Sequence, residues 1–253
     1  MQTFTASDDV KISYQIFGQR SEDPPVVLHH GFGASSEINW VVPGIVSALI
    51  AAGRWVLSVD ARGHGRSQKP RDPALYGEAI MARDVVDLMN RLQVSSYDLV
   101  GYSMGAVVSL LVAVADSRVR RLILGGVGAG AVEQGGVDRR VLAPADLVAA
   151  LETDDPSVIE EPLAQSFRNL VDATGADRFA LAAQAKAVHV APIRFERIQV
   201  PTLVIAGDGD PLAAFPETLV RAIPRARLEQ VRGDHMTALF EPRFRESVVS
   251  FLA

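Results

Sequence analysis

The sequence predicts an α/β protein built on a doubly wound, mostly parallel sheet, with a small helical cap inserted into it. Three observations carry this. Short apolar runs closed by Gly or polar residues recur: Val26 to His30, Trp55 to Val59, Tyr97 to Gly101 and Arg121 to Leu124. Continuous apolar runs of that length suit parallel strands covered on both faces. Helix-length segments separate them; in Ile80 to Leu92, Val85, Leu88, Met89 and Leu92 share one face while Arg83, Asp87 and Arg91 fall elsewhere. The alternation then lapses between about Gly128 and Pro192, and resumes with Thr202 to Ala206, a helix near Glu217 to Ala222, a strand Arg227 to Val231 and a helix after Pro242. The lapse contains Ala, charged residues and prolines, and reads as helices over Pro144 to Leu151, Val158 to Val171 and Ala176 to Val188. The expected organisation is therefore a core of residues 1–130 and 191–253 with a cap of residues 131–190.

Composition narrows the partners. The chain has 253 residues, 48% hydrophobic and 22% charged, enough to bury a sizeable core. With 25 Lys plus Arg against 30 Asp plus Glu and no basic run, nucleic acid is not expected as a partner. No cysteine is present, so disulfides, thiolate nucleophiles and cysteine-ligated zinc are excluded. The most apolar stretch, Gly105 to Ala115, is too short to span a bilayer, and no membrane partner is expected. MQTFTASDDVKISYQ shows no basic region followed by an apolar stretch, so a cytoplasmic location is the expectation.

The chemistry-bearing motif is Gly101-Tyr102-Ser103-Met104-Gly105, a G-x-S-x-G string. The string alone is a moderate signal, but a strand-like run precedes it and a helix-like run, Ala106 to Ala115, follows. A turn tight enough to expose the serine hydroxyl leaves little room for side chains two residues away on either side. The following helix would also point its amide-rich N-terminus at the serine.

Here the sequence resembles the α/β-hydrolase superfamily, over nearly the whole chain apart from the cap. Four signatures agree in order: His30-Gly31-Phe32-Gly33, the run Asp60 to Ser67, the Ser103 elbow, and Gly207-Asp208-Gly209-Asp210 followed by Gly233-Asp234-His235. The resemblance implies the α/β-hydrolase fold and a catalytic triad in the order Ser, acid, His. Ser103 is then the nucleophile. Of the two histidines after it, His235 holds the family position of the base, whereas His189 lies in the cap beside Val and Ala. Asp208 and Asp210 both follow the strand Thr202 to Ala206; the family pattern G-x-x-D-P matches Asp210, leaving Asp208 as a residue capping its own loop. The segment after Leu122 to Gly125, where some relatives carry the acid, holds no carboxylate.

By the same analogy the backbone amides of Phe32 and Met104 form the oxyanion hole, and Asp60 to Ser67 is a scaffold loop. His29 and His30 are neighbours on a strand and should point to opposite faces, so they do not suit one metal ion; His30 is expected to brace the oxyanion loop. No metal or cofactor is implied.

A serine at the elbow favours acyl transfer over the alkyl-enzyme chemistry of dehalogenases and epoxide hydrolases of this superfamily, which carry Asp there. The expected activity is hydrolysis of a small carboxylic ester, lactone or thioester through an acyl-enzyme on Ser103, with a small-molecule substrate as partner. The same triad also serves carbon-carbon bond hydrolases and non-hydrolytic cofactor-free enzymes such as perhydrolases and lyases, and some proteins of the fold are small-molecule receptors. Oligomeric state is left open. Leu147, Leu151, Leu163, Phe167, Leu170, Phe179 and Leu181 of the cap either cover the cleft or pack on the core.

Overall fold

The computed structural model describes residues Met1–Ala253. An antiparallel hairpin opens the chain: β1 (Gln2–Thr5) pairs with β2 (Lys11–Phe17), which runs antiparallel to the central strands. Then follow β3 (Val26–His29), α1 (Ile45–Ala51), β4 (Val56–Asp60), α2 (Glu78–Arg91), β5 (Tyr97–Tyr102), α3 (Met104–Ala115) and β6 (Val119–Gly125). Between β6 and the next strand lie the short α4 (Ala129–Glu133) and three helices, α5 (Pro144–Glu152), α6 (Pro162–Thr174) and α7 (Arg178–Ala185). The chain ends with β7 (Thr202–Gly207), α8 (Pro216–Ala222), β8 (Ala226–Val231) and α9 (Pro242–Leu252). The sheet order is β1-β2-β4-β3-β5-β6-β7-β8, parallel from β4 to β8.

The strands show the two-residue period of a sheet covered on both faces. Val27, Leu99, Leu122 and Leu124 join the cluster that includes Val85, Leu88 and Met89 of α2 and Val107 and Leu110 of α3. Val26, Leu28, Val100 and Ile123 join the opposite cluster, with Ile45 and Leu49 of α1 and Phe244 and Val248 of α9. Helices α5 to α7 have a third cluster, in which Leu147, Leu151, Phe167 and Leu181 meet Leu212 from the loop after β7.

Local chemistry moves two helix starts from their expected places. α6 begins at Pro162, not Val158, because Pro suits the first helical position and the Glu161 carboxylate accepts the Leu163 and Ala164 N–H groups. α7 begins after Asp177, whose carboxylate accepts the N–H groups of Phe179 and Ala180. No helix is long and apolar enough to cross a membrane.

β3 and β5 end side by side at the carboxyl edge of the parallel sheet, with His29 opposite both Val59 and Gly101, and β7 ends at the same edge one strand beyond, across β6. In open α/β sheets this edge is where ligands bind. The candidate residues all sit on the loops that leave it.

Candidate active site

Ser103 occupies the single residue between β5 and α3, at φ 54° and ψ −119°. A non-glycine residue pays for that left-handed φ, and the neighbours explain why it persists. A Cβ on Gly101 would lie 2.1 Å from the Gly105 carbonyl oxygen, and one on Gly105 would lie 2.1 Å from the His29 carbonyl oxygen. Only glycines let β5, α3 and the end of β3 close to this distance, and that closure turns the serine hydroxyl outward from the sheet edge.

Ser103, His235 and Asp210 meet. The Ser103 hydroxyl lies 2.8 Å from His235 Nε2. On the other side of the ring, His235 Nδ1 is 2.8 Å from Asp210 Oδ2 and 3.0 Å from Oδ1, so Nδ1–H donates to the carboxylate and Nε2 is left to accept from the serine. All three residues are buried. Asp210 also accepts the N–H groups of Leu212 at 2.9 Å and Ala213 at 3.2 Å, which orient the carboxylate. Asp208 is exposed and does not reach the imidazole. Nor does it cap its own loop as expected: it accepts the Gly233 N–H at 3.0 Å, tying the β7 loop to the turn that carries His235.

Two contributors escaped the sequence. The Tyr102 hydroxyl donates to the His235 carbonyl at 2.8 Å, fastening the histidine loop to the residue before the serine. Its phenol is pushed well above its usual pKa by burial and by the nearby Asp210 charge, so it remains a donor. Asn39 Oδ1 accepts the Gly31 N–H at 2.8 Å and holds the loop that carries Phe32. A Tyr inside an apolar strand and an Asn in the short helical turn Glu37–Val41 give no signal of such roles.

The Phe32 and Met104 amides have no acceptor within the fold. Met104 is the first residue of α3, where the helical ladder supplies no partner, and Phe32 lies in a turn. Both residues border the space in front of Ser103.

His30 donates from Nδ1 to the Gly31 carbonyl at 2.8 Å and accepts the Ala61 N–H at Nε2 at 2.9 Å, which makes it a neutral brace between two loops. The expectation of opposed rings for His29 and His30 is corrected: they stack with centroids 5.8 Å apart and 26° between planes, because β3 ends at His29. His64 packs edge-on against Phe32 and leaves Nε2 without a partner. Burial pushes His29, His30 and His64 below the usual histidine range. In the Asp60 to Ser67 loop, the buried Arg62 pairs with Asp84 at 2.7 Å and Asp8 at 2.6 Å. His189 donates from Nδ1 to the Gly135 carbonyl at 2.7 Å and takes no part in the triad.

Two cavities meet at Ser103, each also bordered by Phe32 and Phe167, whose rings touch edge-on at 5.8 Å. The first runs between Met104, Val137, Leu142 and Leu147 and reaches Glu78 and Gln184. The second is bordered by His235, Asn39, Met236 and Leu239. Of the cap residues singled out above, Leu147, Phe167 and Leu170 border a cavity, Leu151 and Leu181 pack inside the helical cluster, Leu163 packs half-buried against it, and Phe179 is exposed beside Arg71 and Arg178.

Known proteins share this fold. A family model described as the alpha/beta hydrolase fold matches residues 24–133. The solved structure of a hydrolase from Pseudomonas aeruginosa PA01 is 30% identical, with a TM-score of 0.77, over 100% of this chain and 98% of that one. The 3-oxoadipate enol-lactonase 2 of Acinetobacter baylyi is 26% identical over 95% of this chain and 92% of its own. A shorter match, 35% identical, links 44% of this chain to 33% of the sn-1-specific diacylglycerol lipase ABHD11 of Xenopus tropicalis, so the alignment spans about a third of that lipase.

Proposed function

The chain belongs to the α/β-hydrolase superfamily and is an enzyme of that fold, and from this premise we propose that it is a serine hydrolase of a small carboxylic ester, lactone or thioester. The observation that carries the proposal is the continuous line from Asp210 through His235 to the Ser103 hydroxyl, with 2.8 Å at each link. The full-length similarity to an enol-lactonase supports the substrate class.

In the proposed reaction, His235 Nε2 takes the proton as Ser103 Oγ attacks the carbonyl carbon. The Asp210 carboxylate stabilises the imidazolium that forms. Negative charge developing on the carbonyl oxygen is received by the free amides of Phe32 and Met104, each worth roughly 3 to 4 kcal/mol of barrier by analogy with measured oxyanion donors. The N-terminus of α3 adds its positive end to the same place. His235 then hands its proton to the leaving oxygen. A water deprotonated by the same nitrogen attacks the acyl-enzyme, releasing the acid and restoring Ser103.

A panel of p-nitrophenyl esters and lactones, read beside fluorophosphonate labelling, tests this. Wild type should turn over members of the panel and take the label at Ser103; Ser103→Ala should lose both while keeping its circular dichroism and melting temperature. Labelling that survives in Ser103→Ala would remove Ser103 as nucleophile.

A further inference from the structure

The two cavities at Ser103 are not equivalent. Since His235 Nε2 must reach the departing oxygen, the leaving group belongs in the cavity His235 borders, and the acyl group in the other. That acyl cavity is apolar along Met104, Val137, Leu142 and Leu147, yet two polar side chains of its wall are almost wholly buried: Glu78 is 2% exposed and Gln184 0%.

Neither is fully satisfied by the fold. Glu78 Oε2 accepts the His189 N–H at 2.6 Å, and besides the residue's own amide no other donor of the protein reaches the carboxylate. Gln184 has two weak bonds: the Gly77 N–H to Oε1, long at 3.5 Å, and Nε2 to the weakly accepting Met104 Sδ at 3.7 Å. A buried carboxylate with spare acceptor capacity costs free energy until a donor completes it, and burial accordingly pushes the Glu78 carboxyl above its usual pKa. Neither residue touches the triad, and a wall built for packing alone would be served by Leu or Met.

We infer that Glu78 and Gln184 are specificity-determining residues that receive a hydrogen-bond donor, a hydroxyl or an ammonium, carried at the far end of the substrate's acyl group. The inference rests on the serine hydrolase reading above and deepens it. Glu78 supplies the free acceptor; Gln184 can turn its amide to a hydroxyl as donor or to an ammonium as second acceptor. Arg139 also borders this cavity, but it is exposed, and an anionic acyl end would have to face the Glu78 carboxylate in a drier place.

The test is a set of hexanoyl p-nitrophenyl esters ending in methyl, methoxy, hydroxyl, ammonium or carboxylate, compared by kcat/KM. In wild type, the hydroxyl or the ammonium ester should exceed both the methyl and the methoxy ester by about tenfold or more, and their ranking separates the two donors. Glu78→Gln keeps an acceptor for the His189 N–H and replaces the spare acceptor with a donor. It should lower the donor-to-methoxy ratio by about tenfold. A wild-type preference for the methyl, methoxy or carboxylate ester overturns the inference while leaving the hydrolase reading intact, as does an unchanged ratio in a folded Glu78→Gln. If Glu78→Gln does not fold, the wild-type series together with Gln184→Met, in which the same ratio should fall, decides the matter. No turnover of any ester, with no Ser103-dependent labelling, overturns both readings.

Discussion

Replacing His29 by Asn tests how the fold tolerates the buried histidines next to the loop that carries Phe32. His29 is 1% exposed, and burial, followed by the charge of neighbouring His30, pushes its imidazole from the ordinary 6.5 down to about 3. Above about pH 6.5 neither the folded nor the unfolded state binds this proton, so nothing is lost there. Below it the unfolded chain takes the proton and the folded chain does not. Stability therefore falls by about 1.4 kcal/mol per pH unit until the folded imidazole titrates near pH 3. At pH 5.0 the loss from His29 alone comes to about 2 kcal/mol. Asn keeps the side-chain donor facing the His30 carbonyl and removes the titration. The assay is urea unfolding of both proteins at pH 7.5 and pH 5.0. His29→Asn should be the less stable at pH 7.5, but its deficit should shrink by about 2 kcal/mol at pH 5.0. Glu78 and Asp84, whose carboxyls are shifted by groups other than His29, titrate in both proteins and cancel in the difference. A deficit that stays constant within about 0.5 kcal/mol would refute the account of His29 as a buried neutral ring.

The remaining outcomes concern the catalytic line. Asp210→Asn should lower kcat on the order of 10⁴-fold, as loss of the carboxylate does in other serine triads, while the exposed Asp208→Asn should change stability by no more than about 0.5 kcal/mol and leave kcat near wild type. Steady-state kinetics of the pair checks the assignment, and the reverse ranking would exchange the two aspartates. Tyr102→Phe strands the buried His235 carbonyl; about 1 to 3 kcal/mol of stability should go with it, and kcat should fall more than KM changes. Urea midpoints and initial rates measure both effects.

Strands β3 to β7 were legible because each contains a short apolar run, and an apolar run that short has few other ways to bury both faces, whereas the edge strand β8, ARLEQV, was legible from its place in the strand-helix alternation. The hairpin of β1 and β2 was not: KISYQIF mixes polar and apolar residues at the sheet's antiparallel end, where packing rather than composition decides. Ser103 and His235 were legible through glycine spacing and family order, since the close approaches at Gly101 and Gly105 allow no other residue. The choice between Asp208 and Asp210 needed the family pattern, and the coordinates separate them by a distance that no local spacing encodes. Glu78 carried no signal at all. It stands where a helix ordinarily begins with an acidic residue in water, and only the return of the chain through Gln184 and His189 buries it.

The hydroxyl that Tyr102 lends to the His235 carbonyl has a practical corollary. Every hydrogen bond that registers serine, imidazole and carboxylate comes from the end of β5 or from loops at the sheet edge, and none from α5, α6 or α7. The proposed proton relay and the helices that border its cavities are thus separate in their hydrogen bonding. Chimeras that graft a different set of roof helices between β6 and β7 should inherit a registered relay and a new substrate preference.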